Sequence, residues 1–177
     1  MSRADRVKHL SSRFFASVRA REPDAGDVAW VQLTLTPEEF AVWHTLGRAD
    51  RAESLAVARA FTREMGHDVE PEYVAAALLH DVGKVEAHLG SFGRVGATVI
   101  AGVVSHGRAR GYPNRIGRYI AHDDLGAARL EQAGARPATV AWARAHHRSE
   151  QWPETGIPAD VCAALARADG EKVNSVT

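Results

Sequence analysis

The stretch AAALLHDVGK, residues 75–84, joins an apolar run to a histidine and an aspartate that stand side by side. Pro71 and Glu72 come shortly before it, and a proline with an acidic residue in the first turn is typical of a helix start. We therefore expect a buried helix that ends near His80 and Asp81. A poorly solvated carboxylate needs a cation or a hydrogen-bond donor. Because further histidines and aspartates follow downstream, the stretch indicates a metal site.

The His-Asp pair between an apolar helix and Gly-Lys resembles the HDIG form of the HD-domain superfamily of metal-dependent phosphohydrolases. The resemblance runs from about residue 50 to residue 169. It includes further residues in the order found in the two-metal members of that superfamily: His122, His146, His147 and Asp169. One position departs from the pattern, because Glu53 in the segment ESLAVA stands where the family has its first histidine.

The resemblance implies a centre of one or two divalent metal ions in the middle of a helical bundle, with Asp81 bridging two ions. The predicted ligands of one ion are His80, Asp169 and Glu53, and those of the other are His122, His146 and His147. Nitrogen and oxygen ligands without cysteine favour Fe²⁺, Mn²⁺ or Mg²⁺ over zinc or nickel. The alternative for Glu53 is a solvent-facing acid that the N-terminal dipole of its helix stabilises.

The activity implied by the resemblance is hydrolysis of a phosphate ester, with a nucleotide or a small phosphorylated metabolite as the substrate. Asp81 and Lys84 would take part in the reaction. The predicted substrate contacts are Lys84, Arg94, Arg115 and Arg118. Arginine suits this role because its guanidinium binds phosphate through two parallel hydrogen bonds. The alternatives are that Lys84 is only a cation at a helix C-terminus and that the arginines form a solvated face.

Two other functions are compatible with the same residues. The superfamily includes diiron oxygenases, and ligand identity alone does not separate them from hydrolases. The second alternative is a degenerate HD module that binds a nucleotide or a partner without catalysis. The glutamate at position 53 is the sequence feature that favours this last alternative.

The periodicity of apolar residues predicts an all-α fold, an HD-domain-like bundle of seven to nine helices. Residues 1–48 are expected to form N-terminal helices packed on the core, and residues 49–177 the HD domain, in one globular unit. Predicted helices cover residues 4–21 and part of 89–121, and others begin near Pro37, Asp50, Pro71, His122, Pro137 and Pro158. Residues 22–27 and 148–158 are expected to be loops.

The composition narrows the classes of partner. Lysine and arginine together number 22, as do aspartate and glutamate, so no net charge indicates a nucleic-acid partner. The single cysteine, Cys162, excludes an internal disulfide and is compatible with a cytoplasmic location. The most apolar window, residues 95–104, is far shorter than the roughly 20 residues that span a bilayer. A homodimer is compatible with the sequence.

Overall fold

The computed structural model describes residues 22–66, 68–87 and 121–170. All regular structure in these ranges is helical, so the prediction of an all-α fold is confirmed. The α-helices are α1 (Ala25–Thr34), α2 (Pro37–His44), α3 (Arg48–Met65), α4 (Pro71–Leu79), α5 (His122–Ala133), α6 (Pro137–Ala145) and α7 (Ala159–Ala168). Two 3₁₀ helices, Val82–Ala87 and Ser149–Glu154, follow α4 and α6.

Most of these helices begin where the sequence predicts. At α2, the Thr36 hydroxyl accepts a hydrogen bond from Glu39 N at 3.2 Å, and the Glu39 carboxylate accepts one from Thr36 N at 3.1 Å. This reciprocal pair satisfies two backbone donors that a helix start would otherwise leave without partners. Proline occupies the first turn of α4 and α6, where its missing N–H costs nothing.

Two parts of the sequence-based prediction differ from the structure. Residues 25–27, expected in a loop, begin α1, because the side chains of Asp24 and Asp27 form a capping box. The second predicted loop contains the 3₁₀ helix Ser149–Glu154. The helices predicted at 4–21 and within 89–121 lie outside the described residues.

Helix α4 lies at the centre of the described part of the bundle, and α1, α2, α3 and α6 all pack against it. Every residue from Val74 to Leu79 is buried, as the apolar run predicts. The largest side chains around it with no exposed surface are Trp43 and Phe61, and Trp142 is nearly as buried. Burying a side chain of this kind contributes about 1.5–3 kcal/mol to the free energy of folding. The packing of these side chains therefore holds α4 in place, and with it His80 and Asp81 at its end.

Helices α1 and α2 share the hydrophobic core with the remaining described helices through Val31, Leu35, Val42 and Trp43. The Trp43 indole N–H donates a 2.9 Å hydrogen bond to the Ser54 hydroxyl, which joins α2 to α3. The predicted division between residues 48 and 49 stays a prediction. In the described ranges, no helix has both the length and the apolar character needed to cross a bilayer.

Candidate metal centre

Two histidines occupy equivalent positions at the ends of two buried helices. His80 caps the C-terminus of α4, and His146 caps the C-terminus of α6. In each ring Nδ1 lies 2.9 Å from the carbonyl oxygen three residues earlier, that of Ala77 or Ala143. A carbonyl can only accept, so Nδ1 carries the proton and donates it. This arrangement orients the ring and directs Nε2 into the space between the helices, as is typical of metal-binding histidines.

The Asp81 carboxylate lies between two groups of side chains. Its Oδ1 is 3.1 Å from His122 Nε2 and 3.8 Å from His146 Nε2. Its Oδ2 is 3.3 Å from His80 Nε2 and also contacts the Lys84 ammonium group. The two oxygens of one carboxylate therefore face different sets of candidate ligands.

Asp81 also belongs to a compact group of candidate ligand atoms. One ligand atom from each of Asp81, His122, His146 and His147 lies within 4.8 Å of the other three. Two ligands on opposite sides of an ion bound at about 2.1 Å are separated by roughly 4.2 Å. The spacing of the four atoms is therefore close to that of a single coordination sphere. His147 is the exposed member, whereas His122 and His146 are buried.

Asp169 is a second carboxylate that contacts His80. It caps the C-terminus of α7, and its Oδ1 is 3.5 Å from His80 Nε2. A carboxylate at this end of a helix is disfavoured by the helix dipole, so a compensating positive charge is expected nearby. His80 Nε2 therefore contacts both the Asp81 and the Asp169 carboxylates.

The charges of these buried groups are strongly perturbed. Burial alone would lower the pKa of His80, but the Asp81 and Asp169 carboxylates outweigh it and hold that pKa well above its ordinary value. Burial lowers the pKa of His146 well below its ordinary value, and the neighbouring His147 adds to the effect. Burial would raise the pKa of Asp81, yet Lys84 and His80 hold it well below its usual range. At neutral pH, Asp81 is therefore an anion and His146 a neutral imidazole, which are the forms that bind metal, whereas His80 carries a proton that a bound metal ion would displace.

The residues present fit a divalent cation. Among the described residues, His80 Nε2, His146 Nε2 and Asp81 Oδ1 are buried and make no hydrogen bond of acceptable geometry. Buried polar atoms of a native protein almost always have a partner, and a bound ion is one of the few explanations when they do not. Imidazole nitrogens and carboxylate oxygens are ligands that divalent metal ions bind in proteins.

The other predicted site residues have different positions. Glu53 is half-buried on α3, and the compact group of ligand atoms found among the described residues does not include it, so its role as a ligand stays a prediction. Lys84 lies in the first 3₁₀ helix beside Asp81. The predicted substrate contacts Arg94, Arg115 and Arg118 lie outside the described residues.

A pair of side chains next to the candidate ligands, Asp123 and Arg148, could not be predicted as partners from the sequence. Asp123 follows His122 directly in the chain and is buried. Arg148 follows His147 directly, and its Nη2 atom lies 2.8 Å from Asp123 Oδ2. The available signal was the charge of each residue beside a predicted ligand, which does not by itself identify its partner.

Comparison with known families agrees with this geometry. The family model described as HD domain matches residues 44–173, which is most of the chain and contains every described residue of the candidate centre. Comparisons with curated proteins and with solved structures gave no match. The chain belongs to the HD-domain superfamily of metal-dependent phosphohydrolases.

Proposed function

We propose that this protein is a metal-dependent phosphohydrolase that cleaves a phosphate ester of a nucleotide or of another small phosphorylated metabolite. The observation that carries the proposal is the position of the Asp81 carboxylate. Its Oδ1 faces His122 and His146, and its Oδ2 faces His80. One anionic side chain between two groups of buried imidazoles is suited to holding one cation or to bridging two.

The proposed ligands divide between the two oxygens of Asp81. On the Oδ1 side they are His122, His146 and His147. On the Oδ2 side they are His80, Asp169 and Glu53. A divalent cation bound there supplies Lewis acidity and positive charge that stabilises the developing charge of a phosphoryl group. The low pKa of Asp81 keeps its carboxylate ionised at neutral pH, so it serves as a ligand and not as a proton donor.

The protein's own cations would bind the substrate. The Lys84 ammonium group contacts Asp81 Oδ2 and is therefore within reach of a phosphate held at the centre. We propose that Lys84 is a catalytic residue that binds a phosphate oxygen, with Arg94, Arg115 and Arg118 as further contacts. Charge-assisted hydrogen bonds of this type are about twice as strong as neutral ones.

The gradient of exposure across the centre supports access from one side. His80 is fully enclosed at 1% exposure, whereas His147 is exposed. A substrate would approach along the His147 side, and the buried side would keep the ligands in place. A cytoplasmic location, a small phosphorylated substrate and a homodimer belong to this proposal.

Elemental analysis combined with a phosphoester panel tests the proposal. The purified protein is reconstituted with Mn²⁺ or Fe²⁺, its bound metal is measured per chain, and hydrolysis is screened on phosphomonoesters, phosphodiesters and nucleotides. We expect about one or two ions per chain and metal-dependent release of phosphate or of a nucleoside monophosphate. Asp81→Asn and His146→Ala should lose both properties. His44→Ala, on an exposed histidine of α2, should retain both.

Two results would contradict the proposal and would point to the alternatives. Retained redox-active iron with oxygen-dependent turnover and no hydrolysis would identify an oxygenase. No bound metal after reconstitution, with nucleotide binding retained, would identify a binding module.

A further inference from the structure

Arg148 forms an ion pair with Asp123 and Asp124 next to the histidines of the candidate centre, and we call these three residues the clamp. One Arg148 Nη2 atom lies 2.8 Å from Asp123 Oδ2 and 2.6 Å from Asp124 Oδ1. The acidic residues are 24 and 25 positions earlier in the chain, at the start of α5. The clamp therefore joins two segments that only the tertiary fold brings together.

Each end of the clamp adjoins a proposed ligand. Asp123 follows His122 at the first turn of α5, and Arg148 follows His147. The Arg148 backbone N–H donates to the Ala145 carbonyl at 2.7 Å, so the turn that carries His146 and His147 is held at both its backbone and its side chain. Fixing Asp123 against Arg148 fixes the distance between His122 and the paired histidines.

The two carboxylate oxygens of Asp123 have different partners. Its Oδ1 accepts a hydrogen bond from the Asp124 backbone N–H at 2.9 Å in the first turn of α5, a contact that an aspartate near a helix start often makes. Asp123 is only 2% exposed, and its Oδ2 accepts from Arg148. A carboxylate this deeply buried is costly unless a cation meets it, so the pair is strongly coupled.

The Nη2 atom of Arg148 contacts other groups of the protein. Its side chain is about three-quarters buried, with 24% exposed, and its Nε is buried without a hydrogen-bond partner in the described part of the chain. The Nη2 atom that makes contacts is directed at the two aspartates. The Nη2 side of the guanidinium group therefore faces the protein scaffold.

We infer that Arg148 is a positioning residue that acts through Asp123 to hold His122, His146 and His147 at the spacing a single ion requires. The inference rests on the proposed metal centre. Partners behind metal ligands typically change metal affinity by 10–100-fold when they are replaced. Because Arg148 acts through a neighbour of the ligand and not on the ligand itself, we expect an effect at the lower end of that range.

A matched set of variants separates positioning from general stabilisation. Arg148→Gln removes the charge, Arg148→Lys keeps it without the planar fork, and Asp123→Asn removes the partner. The control is Arg144→Gln. Arg144 of α6 pairs with Glu131 of α5 at 3.1 Å, but both side chains are exposed and neither adjoins a proposed ligand.

The measurements are Co²⁺ affinity and the visible absorption spectrum of the Co²⁺-loaded protein, with urea unfolding of the metal-free protein for comparison. Arg148→Gln and Asp123→Asn should each bind Co²⁺ about tenfold more weakly and should shift the absorption bands. Arg148→Lys should recover part of the affinity, and the double variant should be no weaker than the weaker single variant. Arg144→Gln should match the wild type in affinity and spectrum. A merely structural role would lower the free energy of unfolding without altering the spectrum of the folded protein.

Wild-type affinity and spectrum in Arg148→Gln would overturn the inference, as would an equal loss in Arg144→Gln. If the wild type binds no Co²⁺, the proposal of a metal centre is contradicted. The positioning role of Arg148 is then tested in the metal-free protein by the long-range ¹H–¹⁵N NMR spectrum of the histidine rings. The His122 and His146 signals should shift in Arg148→Gln but not in Arg144→Gln, and unchanged signals would overturn the clamp.

Discussion

Gly83 lies directly against the backbone carbonyl of His122. A β-carbon at position 83 would be 1.8 Å from the His122 oxygen and 2.6 Å from the amide nitrogen of Gly126. Gly126 is crowded to a lesser degree, because a β-carbon there would be 2.9 Å from Gly83 N. This contact of two glycine backbones brings the first 3₁₀ helix onto the start of α5 and places His122 beside Asp81.

Gly83→Ala should therefore destabilise the protein and separate His122 from Asp81. The clash is with backbone atoms that cannot rotate away, so we expect a loss of about 3 kcal/mol in the free energy of unfolding, with weaker metal binding. Urea unfolding and Co²⁺ titration measure the two effects. Gly47→Ala is the control, because among the described residues its β-carbon would meet only the Asp50 carboxylate, at 3.5 Å, and the substitution should cost less than about 1 kcal/mol in the free energy of unfolding. Equal behaviour of the two variants would contradict the packing argument.

Glu39→Gln should remove a buried ion pair that links α2 to α6. The Glu39 carboxylate has no exposed surface and accepts hydrogen bonds from the backbone and guanidinium of Arg136 and from the Thr139 hydroxyl. Losing one partner of such a pair should lower the free energy of unfolding by about 2 kcal/mol. This is less than is typical for a fully buried ion pair, because Arg136 keeps some solvent contact. Glu38→Gln, on an exposed neighbour in the same turn, should change stability by less than about 0.5 kcal/mol. Urea unfolding at pH 7 compares the two variants.

The same carboxyl group should contribute to acid sensitivity. Burial would raise the pKa of Glu39, but hydrogen bonds from Arg136 outweigh it and hold that pKa below the ordinary 4.5. A carboxyl group whose pKa is lower in the folded protein than in the unfolded protein stabilises the fold. This stabilisation is fully present above the pKa of the unfolded protein and is lost as the pH falls through the pKa of the folded protein. The wild type should therefore lose more stability than Glu39→Gln between pH 5 and strongly acidic pH, in urea unfolding measured across this range. A difference in the free energy of unfolding between the two proteins that stays constant across this pH range would show that Glu39 does not contribute to acid sensitivity.

Lys84→Gln should separate metal binding from hydrolysis. Removing the ammonium group from Asp81 Oδ2 removes a charge that competes with a cation, so metal affinity should be unchanged or higher. The value of kcat/KM for a phosphate ester should fall by roughly 100-fold, because a group that binds a phosphate oxygen is lost. Arg63→Gln, an exposed cation on α3, is the control and should leave both properties unchanged. Full activity in Lys84→Gln would show that this lysine does not contact the substrate.

Glu53→His tests the one departure from the family pattern. Restoring the histidine should change the metal preference towards ions that favour nitrogen ligands, and hydrolysis should persist if the natural protein is a phosphohydrolase. Metal competition between Mn²⁺ and Co²⁺, with the same phosphoester panel, measures both effects. Hydrolysis that occurs only in the variant would mean that the natural chain is not a phosphohydrolase.

Much of the helical layout could be predicted because its signals are local. Thr36 and Glu39 form a capping box within four residues, and Pro71 and Pro137 mark helix starts that the structure retains. Helix α1 was missed because its start depends on two aspartates, Asp24 and Asp27, in a segment with the composition of a loop.

The amino-acid sequence by itself determined the all-α class, the superfamily and the end of a buried helix at His80 and Asp81, because apolar periodicity and chain order are read along the chain. Only the tertiary structure decided which oxygen of Asp81 faces which histidines, that Gly83 must be glycine, and that Arg148 pairs with Asp123. Each of these depends on atoms that are far apart in the chain and close in space. The free energy of such contacts comes from packing and from burial of charge, and neither is encoded in the identity of one residue or its neighbours.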